Sequence, residues 1–194
     1  MKKLWLIGIL WCIVVIQLPA QQTIWTIVPD HSSIQFSVTH LVVSTVTGKF
    51  NIFKGTIKTT GADFSNARIS AQIDVNSIDT ENMTRDKHLR EDDFFNVKTY
   101  PYISFTSTDF KKTSDNQYTI VGDLTIRDVT MPIELEAVYG GEVLVEDKIV
   151  SGFKAKGSLN RFDYRLKWDD VLDSGSLVVS EEVDIVLNLQ LVKN

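Results

Sequence analysis

Residues 117–139, QYTIVGDLTIRDVTMPIELEAVY, contain two runs in which apolar and polar residues alternate. Side chains of an extended chain point to opposite sides in turn, so such a run is typical of a strand with one apolar face. That face carries Tyr118, Ile120, Gly122, Leu124 and Ile126 in the first run, and Ile133, Leu135, Ala137 and Tyr139 in the second. Because polar Arg127, Asp128 and Thr130 separate the runs, the stretch predicts one long antiparallel hairpin.

Pro132 restricts how this hairpin is built. Proline has no backbone N–H to donate to a neighbouring strand, so we expect it near the start of the second strand or on an edge.

Similar alternation recurs along the chain, and we count about eight strands. The clearest is residues 182–192, where Val183, Ile185 and Leu187 alternate with polar residues. The apolar phase changes within residues 47–59, near Gly55, which predicts a bulge or bend of the kind that closed sheets use to turn corners. Residues 79–96 break the pattern and predict a short helix capped by Thr80 or Asn82. Residues 160–180 form a long connection, interpreted as a lid or a strand extension.

These half-apolar strands decide the fold class. No predicted strand is apolar on both faces, which argues against a parallel α/β sheet. We therefore predict an all-β protein with one short helical segment, folded as a closed antiparallel barrel with an apolar interior. A β-sandwich is the alternative.

Composition sets further limits. The chain has 194 residues, 43% of them apolar, and a net charge of -5 with no basic stripe, so we expect no nucleic-acid partner. Residues 1–20 have a basic start, an apolar run and a small final residue, as in a secretory signal peptide. We therefore predict a signal peptide over residues 1–20, one domain over residues 21–194, and a periplasmic or secreted protein.

Catalytic and metal-binding patterns are weak. His31, His40 and His88 lack the spacing that lets two imidazoles share a metal, so we predict no metal site. We also predict no cofactor, apart from a possible bound isoprenoid lipid. The chain has no Gly-x-Ser-x-Gly elbow, and we predict no catalytic residues. Arg161 and Arg165, placed with Asp163 on one side of an extended segment, would suit an anionic head group at a barrel mouth. A surface ion pair is the other interpretation of these charges.

A series of short motifs, colinear through residues 25–161, resembles the YceI-like family of bacterial periplasmic proteins. The motifs are Trp25, Asp30-His31-Ser32, Ile34-x-Phe36-x-Val38-x-His40-Leu41, Thr47-Gly48-x-Phe50, Phe53-x-Gly55, Ser77-Ile78-Asp79-Thr80, Arg85-Asp86-x-His88-Leu89, Asp93-Phe94-Phe95, Tyr100-Pro101, Phe105-x-Ser107, Gly122-Asp123-Leu124-Thr125-Ile126 and Asn160-Arg161. Two positions depart from the family pattern: Asp128, where glycine is common, and the segment Asp163-Tyr164-Arg165, where an aromatic residue followed by glycine is usual.

The resemblance implies a lipocalin-like barrel whose lumen holds a long isoprenoid lipid, such as an isoprenoid quinone or a prenyl phosphate. A closed sheet of about eight strands is wide enough for one slender ligand. Each lining candidate has plain core packing as its alternative role. The candidates are Phe36, Val38, Phe50, Ile73, Phe105, Leu124, Leu135, Phe153 and Leu187, with Arg161 and Arg165 as head-group contacts.

The functional expectation is therefore a non-enzymatic carrier or storage protein for an isoprenoid lipid. We expect only transient membrane contact, during lipid exchange, and leave open a homodimer. The alternatives are an enzyme acting on such a lipid and a stress-related envelope protein with a purely structural barrel.

Overall fold

The computed structural model describes residues 22–61 and 63–194. The predicted signal peptide, residues 1–20, lies outside the described residues. Eleven strand segments and one α-helix make up the described fold. The strands are β1 Thr23–Ile27, β2 Ser33–His40, β3 Ser44–Phe50, β4 Phe53–Thr59, β5 Arg68–Asp74, β6 Ile78–Asp79, β7 Tyr102–Ser114, β8 Gln117–Ile126, β9 Val129–Val145, β10 Lys148–Asn160 and β11 Val179–Lys193, and the helix is α1 Met83–Leu89.

The segments join into one closed antiparallel barrel. β1 and β2 both pair with β11, β4 pairs with β1, and β3 pairs with β2, so β1–β2 and β3–β4 each act as one bent strand. β5 and β6 pair in the same way with β4 and β3. With β7 to β11 these give eight strands around the barrel, and pairing of β1 with β11 closes it. The predicted closed barrel is confirmed, and the β-sandwich alternative is wrong.

The bends in the first three strands have local causes. The turn of 3₁₀ helix at Pro29–His31 separates β1 from β2, and a second at Val75–Ser77 separates β5 from β6. Asn51 and Ile52 interrupt the strand between β3 and β4, where the sequence predicted a change of phase. Because the strands pair again on both sides of each break, the sheet turns a corner without losing closure.

The predicted hairpin is formed by β8 and β9, with the predicted inward faces. Ile120 pairs with Leu135 and Leu124 with Met131, and the inward side chains of β8 are buried along its whole length. Pro132 is the fourth residue of β9, where β10 has not yet begun to pair, because the ladder between β9 and β10 starts at Glu136. Its missing N–H therefore falls where β9 pairs only with β8.

Helix α1 is fixed by side chains at its start. The Asn82 side chain caps it by accepting from the backbone N–H groups of Thr84 and Arg85. Asp86 is buried and accepts from both the backbone N–H and the hydroxyl of Thr80. These bonds hold α1 against the barrel end near β6. Neither this helix nor any other described one has the length and apolar character to span a membrane.

Aromatic side chains close the opposite end of the barrel, and we call them the aromatic plug. Phe64, from the loop between β4 and β5, lies at its centre, with ring centroids 5.3 Å from Trp25, 5.5 Å from Tyr139 and 4.8 Å from Phe153. Phe110 and Tyr118 complete the set. Five of these rings come from five different strands of the barrel, so their packing joins these strands at the end of the lumen.

Candidate ligand-binding lumen

The barrel encloses a cavity of about 530 Å³. Phe110 and Phe153 of the aromatic plug form its floor, and residues of α1 line its other end. The exposed side chains of the cap residue Asn82 and of Thr84 and His88 on α1 also line it, so the cavity opens to solvent there. Its volume falls within the range of roughly 300–1,000 Å³ that is usual for small-molecule sites.

All nine apolar residues predicted to line the lumen lie on the cavity wall. They are Phe36, Val38, Phe50, Ile73, Phe105, Leu124, Leu135, Phe153 and Leu187. The inward phase of the strands was therefore assigned correctly. That these side chains contact a ligand stays a prediction.

The cavity volume is not spread evenly around the wall. Inward residues of β8 to β10, such as Ile120, Leu135 and Phe153, are buried in the core. Inward apolar residues of β2 and β11, such as Phe36 and Ile185, are only half-buried and pack on the edge of that core. Inward residues of β5 and part of β7 are half-buried as well. Half-buried apolar side chains facing a cavity leave apolar surface uncovered, so these strands favour binding of an apolar molecule more than β8 to β10 do.

Two glycines give the large lining side chains their room. A Cβ atom at Gly48 would lie 2.3 Å from the Phe36 ring, and one at Gly122 would lie 2.4 Å from the Phe105 ring. Each ring therefore lies against bare backbone of the neighbouring strand. The glycines set how far both rings lie back from the middle of the lumen.

Arg161 lines the cavity but is already engaged by backbone. It is 3% exposed, and its guanidinium donates to four carbonyl oxygens. Nε donates to Ser180 (2.9 Å), Nη2 to Val179 (3.0 Å), and Nη1 to Leu166 (2.8 Å) and Trp168 (2.7 Å). Burial lowers the pKa of Arg161, while the charges of Asp169 and Glu181 raise it. With four of five N–H groups occupied, its main role is to hold residues 166–180 at the barrel end.

The extended geometry predicted for Arg161, Asp163 and Arg165 is wrong. The chain turns here, with the backbone N–H of Tyr164 donating to the carbonyl of Arg161, and Arg165 has a φ of 61°. A turn sends alternate side chains in different directions, so the two arginines diverge. Arg165 is not among the lining residues, and its exposed guanidinium pairs with Asp128 of the hairpin turn. Its contact with a ligand remains an untested prediction.

Residues 161–178 of the connection from β10 to β11 are not a strand extension, and a role of this connection as a lid stays a prediction. Residues 161–178 form turns and one isolated bridge, between Val171 and Leu177. Arg127, from the turn between β8 and β9, fixes this end by donating from Nη1 to the carbonyls of Phe94 (2.7 Å) and Arg165 (2.9 Å). The segment after α1 and the turn at 161–165 are thus tied to one side chain.

A polar group that was not predicted lies at the open end of the cavity, and we call it the α1 rim. Its members are Thr80, Asn82, Thr84, Arg85 and His88. The motif Arg85-Asp86-x-His88-Leu89 contributes two of them. Helical spacing in the sequence could have revealed this group, because residues 84, 85 and 88 lie within about one turn of α1 and point to the same side.

Aromatic side chains border this rim. Trp168 and Phe94 lie 5.8 Å apart, and the His88 ring stands edge-on to both, at 5.9 and 5.0 Å. His88 Nε2 donates to the Asp93 carboxylate at 2.7 Å, which fixes the ring. The open end is thus framed by ordered rings from α1, the segment after it and the long connection.

Within residues 22–61 and 63–194, no group of three or more histidine, cysteine, aspartate or glutamate side chains is placed to hold a metal ion.

Comparisons with known proteins agree with this geometry. Protein YceI of Escherichia coli O157:H7 is 34% identical over 169 residues, covering 83% of this chain and 81% of that protein. The crystal structure of Burkholderia cenocepacia BcnA has the same fold, with a TM-score of 0.74 and 20% identity over 84% of this chain and 98% of that one. A polyisoprenoid-binding domain from Saccharophagus degradans, implicated in plant cell wall breakdown, has a TM-score of 0.62 and 18% identity over 86% of this chain and 97% of that one.

The family assignment follows from the extent of the match. The YceI-like domain pattern matches residues 25–191, from β1 to the last strand of the barrel. The chain belongs to the YceI-like domain family.

Proposed function

We propose that this protein binds one long isoprenoid lipid inside its barrel and stores or carries it without changing it chemically. The observation that carries the proposal is the lumen: a cavity of about 530 Å³ with apolar walls, closed by aromatic rings at one end and open at the other. A slender apolar chain fits such a space with its end against the plug. The polyisoprenoid-binding domain of similar fold supports the same ligand class.

The predicted signal peptide supports a periplasmic or secreted location. An apolar isoprenoid lipid outside the protein would stay in a membrane rather than in water, so the protein would have to exchange its lipid there. We therefore propose transient membrane contact during lipid exchange. The turn after β2 exposes three apolar side chains, those of Leu41, Val42 and Val43. The backbone N–H of Leu41 donates to the carbonyl of Val178, and the next residue, Val179, lines the cavity. These apolar tips stand beside the open end.

The energetics predict a dependence on chain length. Burying apolar surface contributes about 0.8 kcal/mol per methylene, whereas ordering a flexible group costs about 0.5–1.5 kcal/mol. Each added isoprene unit therefore gains affinity until the chain reaches the plug. Beyond that length further units stay in water and add nothing.

The test is to load prenyl alcohols of increasing length, measure Kd by tryptophan fluorescence, and recover each ligand for mass spectrometry. We expect affinity to rise with length and then level off, with every ligand recovered intact. Affinity independent of length would contradict an apolar lumen site. A chemically altered ligand, lost in a His88→Ala or His40→Ala variant, would show an enzyme instead of a carrier.

A further inference from the structure

We propose that the α1 rim is a head-group site, in which Arg85 binds an anionic oxygen of the lipid, such as that of a phosphate or carboxylate. The inference rests on the proposed function and assigns the polar end of the ligand. It places that end at α1, with the apolar chain running down to the aromatic plug.

The first observation is the charge of the lining. The chain contains 25 aspartate and glutamate residues, yet none of the described residues lining the cavity is acidic. The same lining includes Arg85, Arg161 and two histidines. A protein with a net charge of -5 therefore has a lumen whose fixed charges are positive. Low-dielectric walls strengthen the field of such charges, so an anion is favoured there over a cation.

The second observation is the state of the Arg85 guanidinium. Nε donates to the Thr80 hydroxyl at 2.8 Å and Nη2 donates to the Thr80 carbonyl at 2.7 Å. Among the described residues no carboxylate pairs with it. A guanidinium has five N–H groups, so three remain for a ligand, two of them on Nη1. Arg161 differs, because its four backbone acceptors leave it only one.

The third observation is how firmly Arg85 is held. Its partner Thr80 is buried and donates to the buried Asp86 from its hydroxyl (2.6 Å) and its backbone N–H (2.9 Å). This chain from Asp86 through Thr80 to Arg85 fixes the guanidinium before a ligand arrives. A donor fixed in advance loses little conformational entropy on binding. The exposed hydroxyl of Thr84 and amide of Asn82 lie on the same rim and offer further donors.

The test compares a matched pair of ligands, farnesyl phosphate and farnesol, which share one chain and differ in the head. We expect the native protein to bind the phosphate at least tenfold more tightly, with the ratio falling as salt is added, because charged contacts are screened. In Arg85→Met the ratio should fall close to one, and Arg85→Lys should restore part of it.

The matched control is Arg90→Met. Arg90 also donates from its guanidinium to backbone carbonyls, those of Asn76 and Ile78, but it does not line the cavity. This variant should keep the native ratio, and circular dichroism checks that both variants are folded. Equal affinity of the native protein for the two ligands, or an unchanged ratio in Arg85→Met, would overturn the head-group site while leaving lipid binding intact. Failure of both ligands to bind the native protein would instead reject the proposed function.

Discussion

The ring of Phe64 lies 4.8 Å from the ring of Phe153, centroid to centroid, and nearly perpendicular to it at 82°. Phe64 comes from the loop between β4 and β5, whereas Phe153 belongs to the wall strand β10. Phe153 lines the cavity and Phe64 does not, so this loop side chain packs behind the cavity floor and supports it.

Replacing Phe64 by alanine should remove the centre of the plug. We expect a loss of about 3–5 kcal/mol in the free energy of unfolding, because a large buried ring is deleted. The plateau in the prenyl-length series should also move to a longer chain. Urea unfolding and the length series measure the two effects. Ile52→Ala, at an exposed position, is the control and should change neither; an unmoved plateau in Phe64→Ala would show that the plug does not limit ligand length.

Neighbouring residues of β11 allow a test of the inner and outer faces. Ile185 lines the cavity, and Val186 is exposed on the outer face. Ile185→Asp should abolish retention of a prenyl alcohol, because an unpaired carboxylate in an apolar cavity costs several kcal/mol. Val186→Asp should retain the ligand. Retention is measured by extraction and mass spectrometry, and full retention by Ile185→Asp would place the lipid elsewhere.

Arg161→Met should destabilise the protein strongly. Four carbonyl oxygens would lose their donor, and a buried unpaired polar group costs about 1–3 kcal/mol. Since water can reach some of these oxygens, we expect a net loss of about 3–6 kcal/mol in chemical denaturation. Arg165→Met removes only an exposed pair with Asp128, and its loss should stay below about 1 kcal/mol. Similar stabilities for the two variants would contradict the structural role of Arg161.

Two buried tyrosines and one half-buried tyrosine predict a loss of stability in alkali. Burial raises the pKa of Tyr118, Tyr139 and Tyr164 above the ordinary value near 10. The protonated tyrosines contribute fully to the free energy of unfolding below the tyrosine pKa of the unfolded chain. This contribution is lost as the pH rises through their higher pKa values in the folded protein, because the unfolded chain releases its protons first. Tm should therefore fall steadily above about pH 10. Tyr118→Phe should reduce the fall, while Tyr102→Phe, at an exposed position, should not; equal slopes would contradict the role of burial.

Most of the fold could be predicted because alternation is a strong local signal. In β8 and β9 the phase of the apolar residues gave the inward side chains correctly, and the break near Asn51 was visible as a change of phase. The lining positions followed from the same phase. Pairing partners such as β1 with β11 cannot be read from alternation, since they depend on how the whole sheet closes.

The polar end of the site was harder to predict. A sequence shows that Arg85 and Arg161 are both cationic. It does not show that Arg161 donates to four carbonyl oxygens whereas Arg85 donates only to Thr80. That difference arises from turns at residues 161–178, where no regular period exists to extrapolate. The wrong geometry for Arg165 has the same origin, a left-handed backbone at a non-glycine residue.

The pairing of Trp25 with Lys193 and of Ile27 with Leu191 has a consequence for folding kinetics. The contacts that close the barrel join residues more than 160 positions apart, so loop-closure entropy must be overcome before they form. Folding with such non-local contacts is slow, and until β11 docks, the partly formed sheet has two unpaired edges that can pair with other chains. Because the wall of the lumen is incomplete without β11, we expect lipid loading to follow closure of the barrel, and a chain lacking β11 should aggregate.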